Sequence, residues 1–531
     1  MTERIRLTEE NRRWWTLGAM CFALFMIMLD NTVVNVALPS IQDDLGASLS
    51  GLEWTVNAYT LSFAVLLVTG GRLGDIFGRR LVFLCGVVVF ALSSAAIGFA
   101  PTQNWLVAGR AVQGIGAAFM MPGTLSIITN AFPAEERGKA IGTWAGVSAL
   151  ALAIGPVVGG ALAEYVSWRA IFFLNLPVAA GAVAVTLFAA RESRDETVER
   201  TVDWAGIASL STGLTALVFA LVEGNAWGWG SPEILALFAA AATGLATFAV
   251  LERRARVPML DFAYFRSSTF LGANMVAFIV TFTMLAMFFF TALYMQNFLG
   301  YSALEAGVRF LPSTALIIVV APIAGRLADK VGPRRLMVVG LLFVAAALYV
   351  QTHISIDSGY GVLLPAFILL GVGMGLVMSP MSTAAMNAVD PSKAGGASGI
   401  LTMSRMVGGT FGVAAFGALF QHLSSSRLEE RLAGTGVSSA QRDHIVENIG
   451  SGAGGGNRVA GLDPAAADQV AGAVKESFIH ALSSGMWLAT GVALLGVVIA
   501  AVTIKDRVAQ REPAAQPAAA QAEREAEPIG V

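Results

Sequence analysis

The chain has 531 residues, of which 56% are hydrophobic and only 13% charged, with a formal net charge of −2. Ordinary soluble proteins carry roughly 25% charged residues, so a soluble enzyme, a disordered chain and a nucleic-acid binder are all poor fits. The mean hydropathy of +0.68 agrees, and the apolar content would fill roughly fourteen membrane spans of about 20 residues each.

Apolar runs follow in chain order at about Trp14–Leu38, Trp54–Thr69, Leu81–Phe99, Trp105–Ile128, Ala140–Ala163, Ala170–Ala190 and Trp204–Val222. They continue at about Ile234–Val250, Phe270–Met295, Val308–Ala324, Leu336–Gln351, Leu363–Ala385, Gly399–Phe420 and Phe478–Ile504. This predicts an all-α polytopic membrane protein with fourteen transmembrane helices. The first run is too long for a cleaved signal peptide, and no small-residue cleavage site follows it.

Charge in the connections tests the count. The first connection, Pro39 to Glu53, and the seventh, Glu223 to Glu233, hold no Lys or Arg. Even-to-odd connections are basic, with Arg72, Arg79 and Arg80, then Arg137 and Lys139, then Arg191, Arg194 and Arg200, then Arg253, Arg254, Arg256 and Arg266, then Arg326, Lys330, Arg334 and Arg335. The positive-inside rule therefore predicts both termini in the cytoplasm, and a bacterial cell membrane is the expected location. The expected division is a cytoplasmic N-terminus over 1–13, a six-helix bundle over 14–190, a linker with helices 7 and 8 over 191–268, and a second six-helix bundle over 269–504. An external loop is expected at about 424–475, with the Gly-rich Gly450–Gly456 inside it, and a disordered cytoplasmic tail over 505–531.

Gly71, Arg72, Leu73, Asp75, Gly78 and Arg80 recur as Gly325, Arg326, Leu327, Asp329, Gly332 and Arg334, an offset of 254. Asn130, Gly138 and Gly142 recur as Asn387, Gly395 and Gly399, an offset of 257. Helices 1–6 and 9–14 therefore read as two copies of one six-helix unit, with helices 7 and 8 inserted between them. Paired six-helix halves with a substrate site between them are a transporter architecture. Asp30 maps to Met284 and Arg110 to Phe367, so neither charge is required by the repeat. A charge within a span costs roughly 2.5–3.5 kcal/mol on insertion scales and so calls for a function.

Leu29, Asp30, Thr32, Asn35, Ala37 and Pro39 form a helix 1 pattern; Gly71–Arg80 forms a pattern between helices 2 and 3; and Leu106, Arg110, Gln113, Gly114, Gly116, Ala117 and Ala118 form one in helix 4. With Gly155, Pro156, Gly159 and Gly160 in helix 5, Trp54 and Tyr59 in helix 2, and Arg405, Gly408 and Gly409 in helix 13, this set resembles the major facilitator superfamily. Within it, the set is similar to the fourteen-helix drug:proton antiporters, over roughly 14–504. The resemblance departs from the usual pattern at Ala151, where a further glycine is common.

The resemblance implies a proton-coupled secondary transporter that exports amphipathic drugs or toxic compounds in exchange for protons. On that reading Asp30, Arg110 and Gln113 serve proton coupling, and Asn31, Asn35 and Tyr59 lie on the substrate pathway. Gly71, Asp75, Gly78, Arg79, Arg80 and Asp329 serve gating, Gly155, Pro156, Gly159 and Gly160 form the antiporter motif, and Arg405 marks helix 13. On that reading Asp30 is the proton carrier. The plainer alternative is a carboxylate satisfied by Asn31, Thr32 or Asn35. Arg110 either supports the charged form of a nearby acid or donates to open backbone carbonyls. Asp75 is expected to dock on the N-terminus of helix 13, where Gly395, Gly396 and Gly399 leave amides approachable, while the arginines around it also serve topology. No acid lies within the helix 10 or 13 runs, which leaves neutral or monocationic substrates as the expectation.

No cofactor or metal is expected. Gly138 and Lys139 are followed by Ala140, so there is no phosphate loop for ATP. His353, His422, His444 and His480 lack zinc spacing. Cys21 and Cys85 lie in apolar runs and imply no disulfide. The expected partners are a small amphipathic substrate, protons and the bilayer, with no nucleic acid, and a monomer suffices for function. Two alternatives stay open: a dedicated exporter of one endogenous metabolite such as an antibiotic, siderophore or lipid, and, less favoured, a membrane-embedded lipid-modifying enzyme.

Overall fold

A computed structural model describes residues 8–46, 49–194, 203–255, 262–301, 303–356, 358–432 and 464–506. Among these residues there are fourteen long α-helices and no strand. The first half holds α1 (Glu9–Leu45), α2 (Leu49–Phe77), α3 (Arg79–Gly98), α4 (Gln103–Ala131), α5 (Arg137–Tyr165) and α6 (Trp168–Ala189). The insert is α7 (Trp204–Trp227) and α8 (Pro232–Arg254). The second half holds α9 (Ser268–Asn297), α10 (Ala303–Val331), α11 (Pro333–Gln351), α12 (Tyr360–Asn387), α13 (Ala394–Leu432) and α14 (Pro464–Thr503). Thirteen of these are long and apolar enough to cross a membrane. The other, α5, has 29 residues and packs between α1 and α10.

The starts follow capping chemistry. Thr8, Thr102, Ser231 and Ser267 each accept a backbone N–H of the first turn of the following helix, and Pro232 stands where no intrahelical donor is needed. Several helices outrun their apolar runs. α13 continues to Leu432 and α14 begins at Pro464, so the loop expected at about 424–475 is helical at both ends. The Gly-rich Gly450–Gly456 and all of the tail beyond Asp506 lie outside the described residues.

The connection expected to form a loop after helix 2 is a single residue. Gly78 has φ +117°, and Gly332, 254 positions later, has φ +88° between α10 and α11. Both lie in backbone space that L side chains avoid. Each break is capped by a carboxylate that follows the sixth helix of its half. Glu192 accepts the N–H groups of Arg80 (3.0 Å) and Leu81 (3.1 Å), and Asp506 accepts that of Arg334 (3.0 Å).

Each half packs as a unit, and the halves meet where α2 lies on α13 and α5 lies on α10. Under the repeat α2 corresponds to α10 and α5 to α13, so these two contacts are one contact used twice about a pseudo-two-fold axis. α7 and α8 pack as a pair, and α7 rests on α2 and α13, with Phe219 against Trp54 at 5.3 Å between ring centroids. α8 buries only Ile234, Ala241, Phe248 and Glu252. Cysteines placed along the middle of α8, in a chain lacking Cys21 and Cys85, are therefore expected to be inert to hydrophilic thiol reagents. Substrate-protected labelling there would place the insert in a translocation path.

Candidate functional site

The two charges singled out in the first half meet. Arg110 Nη1 of α4 donates to Asp30 Oδ2 of α1 at 2.5 Å and to Gln113 Oε1 at 2.6 Å, and its Nε donates to the Thr55 carbonyl of α2 at 3.0 Å. Asp30 and Arg110 are 2% and 1% exposed. The other carboxylate oxygen, Asp30 Oδ1, accepts from Gln113 Nε2 and from Asn175 Nδ2 of α6, each at 3.0 Å. Both amides spend their second N–H on Ser94 Oγ of α3, at 2.7 and 3.2 Å. Five helices therefore meet in one cluster, three of them at the carboxylate itself, and both Nε2 protons of Gln113 and both Nδ2 protons of Asn175 are used.

Tyr59 is fully buried with its ring under the Arg110 guanidinium, 4.2 Å from the centroid, a cation–π contact. Its hydroxyl has no hydrogen-bond partner among the described residues. Tyr59 thus belongs to the Asp30 cluster. Asn31 is half-buried and donates to the Ile27 carbonyl at 3.4 Å. The side chains of Asn35 and Pro156 lie outside the described residues.

Arg110 holds Asp30, Gln113 and Thr55 from one planar fork, which an ammonium cannot copy. Arg110→Lys is expected to lower transport by about tenfold or more at equal expression, the equivalent of about 1.4 kcal/mol in coupling. Full transport in vesicles would reduce Arg110 to its charge alone.

The helix 5 glycines support the same site. A Cβ at Gly155 would strike the Thr32 side chain, and one at Gly159 would meet the Val33 backbone at 3.0 Å. α5 thus lies directly on the α1 turn that follows Asp30, while Gly160 is half-buried.

A second constellation closes one end of the bundle, the end carrying Arg79, Arg80 and Arg334. Asp75, 1% exposed in the last turn of α2, accepts the N–H groups of Gly395 (2.9 Å) and Gly396 (2.6 Å) at the start of α13. Arg79 at the start of α3 donates twice to the same carboxylate, through Nε at 3.0 Å and Nη2 at 2.6 Å. Free amides at a helix N-terminus suit a carboxylate. The repeat supplies a counterpart: Asp329 of α10 accepts the Gly138 N–H of α5 at 3.2 Å. Pro333 stands where Arg79 stands in the first half, so Asp329 lacks that arginine and is only half-buried. A Cβ at Gly71 would strike the Gly395 carbonyl, and one at Gly325 or Gly138 would strike the other's carbonyl. Ser398 Oγ adds a hydrogen bond to the Pro122 carbonyl at 2.7 Å, and Arg137 Nη1 one to Asn387 Oδ1 at 3.0 Å. Gly78 and Arg80 sit at the helix break beside Glu192.

Arg405 stands apart from both clusters, half-buried in the first third of α13. Among the described residues no group of three or more His, Cys, Asp or Glu could hold a metal ion.

Two six-helix halves, packed about a pseudo-two-fold axis and each crossing a membrane, define a transporter rather than an enzyme. The family model described as Major Facilitator Superfamily matches residues 20–413, and the chain belongs to that superfamily. The tetracenomycin C resistance and export protein of Streptomyces glaucescens is 35% identical over 94% of each chain. The multidrug resistance protein Stp of Mycobacterium tuberculosis is 35% identical over 92% of this chain and 90% of that one. The puromycin resistance protein of Streptomyces alboniger is 37% identical over 81% and 85%. Among solved structures, the human organic anion transporter MFSD10 (TM-score 0.59, 14% identity, 93% of this chain and 100% of that one) and the proton:xylose symporter XylE (0.59, 12%, 92% and 95%) share the fold.

Proposed function

We propose that this chain is a secondary transporter that exports amphipathic drugs or toxic compounds across a bacterial cell membrane in exchange for protons. The carrying observation is the Asp30 cluster: one buried carboxylate, in one half only, paired with a buried guanidinium through Oδ2 and held by two amides through Oδ1. A proton arriving on Asp30 cancels the negative charge that holds Arg110 on Oδ2. Displacing Arg110 from Oδ2 breaks the ion pair and frees a guanidinium tied to α2 through Thr55. Proton and ion pair thus exclude one another, which ties protonation to a movement of α4 against α1 and α2. The resistance and export names of the relatives support the same reading.

The basic end faces the cytoplasm by the positive-inside rule. Asp75 on Gly395 and Gly396, and Asp329 on Gly138, then act as two clasps that shut the cytoplasmic side, and a rocking of the halves opens them. The driving force suffices without ATP. One charge crossing 100 mV releases roughly 2.3 kcal/mol, and each 1.4 kcal/mol is about tenfold in concentration. A potential of about 150 mV therefore supports roughly 300-fold accumulation per charge moved.

Cells expressing the chain are expected to extrude a fluorescent amphipathic dye and to lose extrusion on addition of a protonophore while ATP is maintained. Extrusion that survives the protonophore would refute the coupling. A dedicated exporter of one metabolite uses the same machinery, and the Streptomyces glaucescens relative, matched over 94% of each chain, favours keeping it as the second reading. A broad substrate panel separates the two.

A further inference from the structure

The unbroken burial of α13 at the closed end stops at Thr402, one turn before Arg405. On α13, residues 394 to 402 are all buried, and residues 403 to 407 are all half-buried. On α4, Ile115 is half-buried between buried Gly114 and Gly116; on α2, Ser62, Leu61 and Thr60 are half-buried between buried Tyr59 and Phe63. Gly395 lies against Gly71 and Gly399 against the Leu67 carbonyl, so the antiparallel register of α13 on α2 places Arg405 level with Leu61. Arg405 is also seven residues from Ser398, hence on the same helical face, and Ser398 touches Pro122 of the opposite half. Arg405 therefore stands on the half-facing side of α13, where the continuous burial of residues 394–402 ends.

Its guanidinium makes no hydrogen bond or ion pair among the described residues. Asp30 does not neutralise it, because Arg110, Gln113 and Asn175 already occupy both Asp30 oxygens. The middle of the spans thus carries one carboxylate against two guanidiniums, and an uncompensated charge at that depth marks a substrate path. A planar, partly exposed fork with no partner among the described residues can recognise a planar oxyanion through two parallel hydrogen bonds.

We propose that Arg405 is a substrate-binding residue that takes the acidic group of an amphipathic organic anion, a carboxylate or an ionised phenol, with the apolar body of the substrate against Leu61, Ile115 and the α13 methionines Met403 and Met406. This rests on the transport reading and replaces the expectation of neutral or monocationic substrates with an anionic class. The energetics agree, since an anion leaving and a proton entering both move down an inside-negative potential.

The test is equilibrium binding of anthraquinone-2-carboxylate and of its methyl ester to the purified full-length chain, its Arg405→Gln variant and its Arg405→Lys variant. The wild-type chain is expected to bind the carboxylate about tenfold tighter than the ester. Arg405→Gln abolishes that preference and keeps the ester affinity, which also reports that the variant is folded, and Arg405→Lys retains part of the preference. Equal binding of acid and ester by the wild-type chain, or a preference undiminished in Arg405→Gln, overturns the assignment. The wild-type comparison decides even where a variant does not fold. An acid preference without proton-coupled efflux would fail the transport reading and leave this one standing; efflux without an acid preference would do the reverse.

Discussion

Asp30→Asn is expected to abolish proton-driven efflux while leaving the chain folded in the membrane. The amide keeps an oxygen for Gln113 and Asn175 but turns an NH2 group toward Arg110, donor against donor. Removing one partner of a buried ion pair typically costs about 3–5 kcal/mol, so the variant should melt at a lower temperature than the wild type. Its transport should no longer respond to pH, because the group proposed to exchange the proton is gone. Measurement of dye efflux from energised vesicles across external pH, at matched expression, checks both points. Wild-type efflux with an ordinary pH profile would remove Asp30 from the mechanism. Asn175→Ala provides a graded control. It deletes one donor to Asp30 and one to Ser94, so its effect should be smaller and should include a shifted pH profile.

Gly325→Val is expected to produce the second largest effect, by a steric route. Gly325 and Gly138 meet backbone to backbone, and a Cβ on either strikes the other's carbonyl. Backbone atoms cannot swing aside as a flexible side chain can, so the branched side chain must hold α5 and α10 apart. Transport should fall by about tenfold or more, an effect of at least about 1.4 kcal/mol on the closed arrangement. A cysteine introduced at Ser379, which is buried and whose hydroxyl donates to the Gly138 carbonyl at 3.4 Å, should react slowly in the wild-type background and rapidly beside Gly325→Val. Gly71→Val should act in the same way through the Gly395 carbonyl. Normal transport by either variant would mean that the two clasps do not need to close.

Much of this was readable from residues alone, for identifiable reasons. Long apolar runs and alternating basic connections reflect the bilayer's demands, which act locally on sequence, so the fourteen helices and their order were legible. Asp30 and Arg110 stood out because a charge in a span is costly and the repeat offers no counterpart. Asp75 could be matched to Gly395 and Gly396 because exposed amides at a helix start and a nearby carboxylate are complementary.

The rest of the cluster was not legible. Asn175 and Asp30 are 145 positions apart, and Ser94 and Asn175 are 81 apart; short uncharged polar side chains are common enough in membrane helices to carry no signal singly. One clue was present: Asn175 is the lone side-chain amide within α6. The caps Glu192 and Asp506 were hidden among ordinary connection charges, and only their paired placement against Gly78 and Gly332 gives them a role. The one-residue helix breaks were masked by the density of Gly and Arg around them, which reads as a loop. Arg405 was noted for its pattern, but its lack of a partner among the described residues depends on how the halves meet.

The central claim is that movement of substrate and movement of protons are one process through Asp30. It is tested most directly in proteoliposomes holding the purified chain and a pH-sensitive dye, with no ATP and no imposed proton gradient. Addition of an amphipathic substrate on one side should drive proton movement in the opposite direction, at a rate that saturates with substrate and vanishes for Asp30→Asn. Substrate uptake with no accompanying proton movement, or proton movement undiminished in Asp30→Asn, would contradict the account.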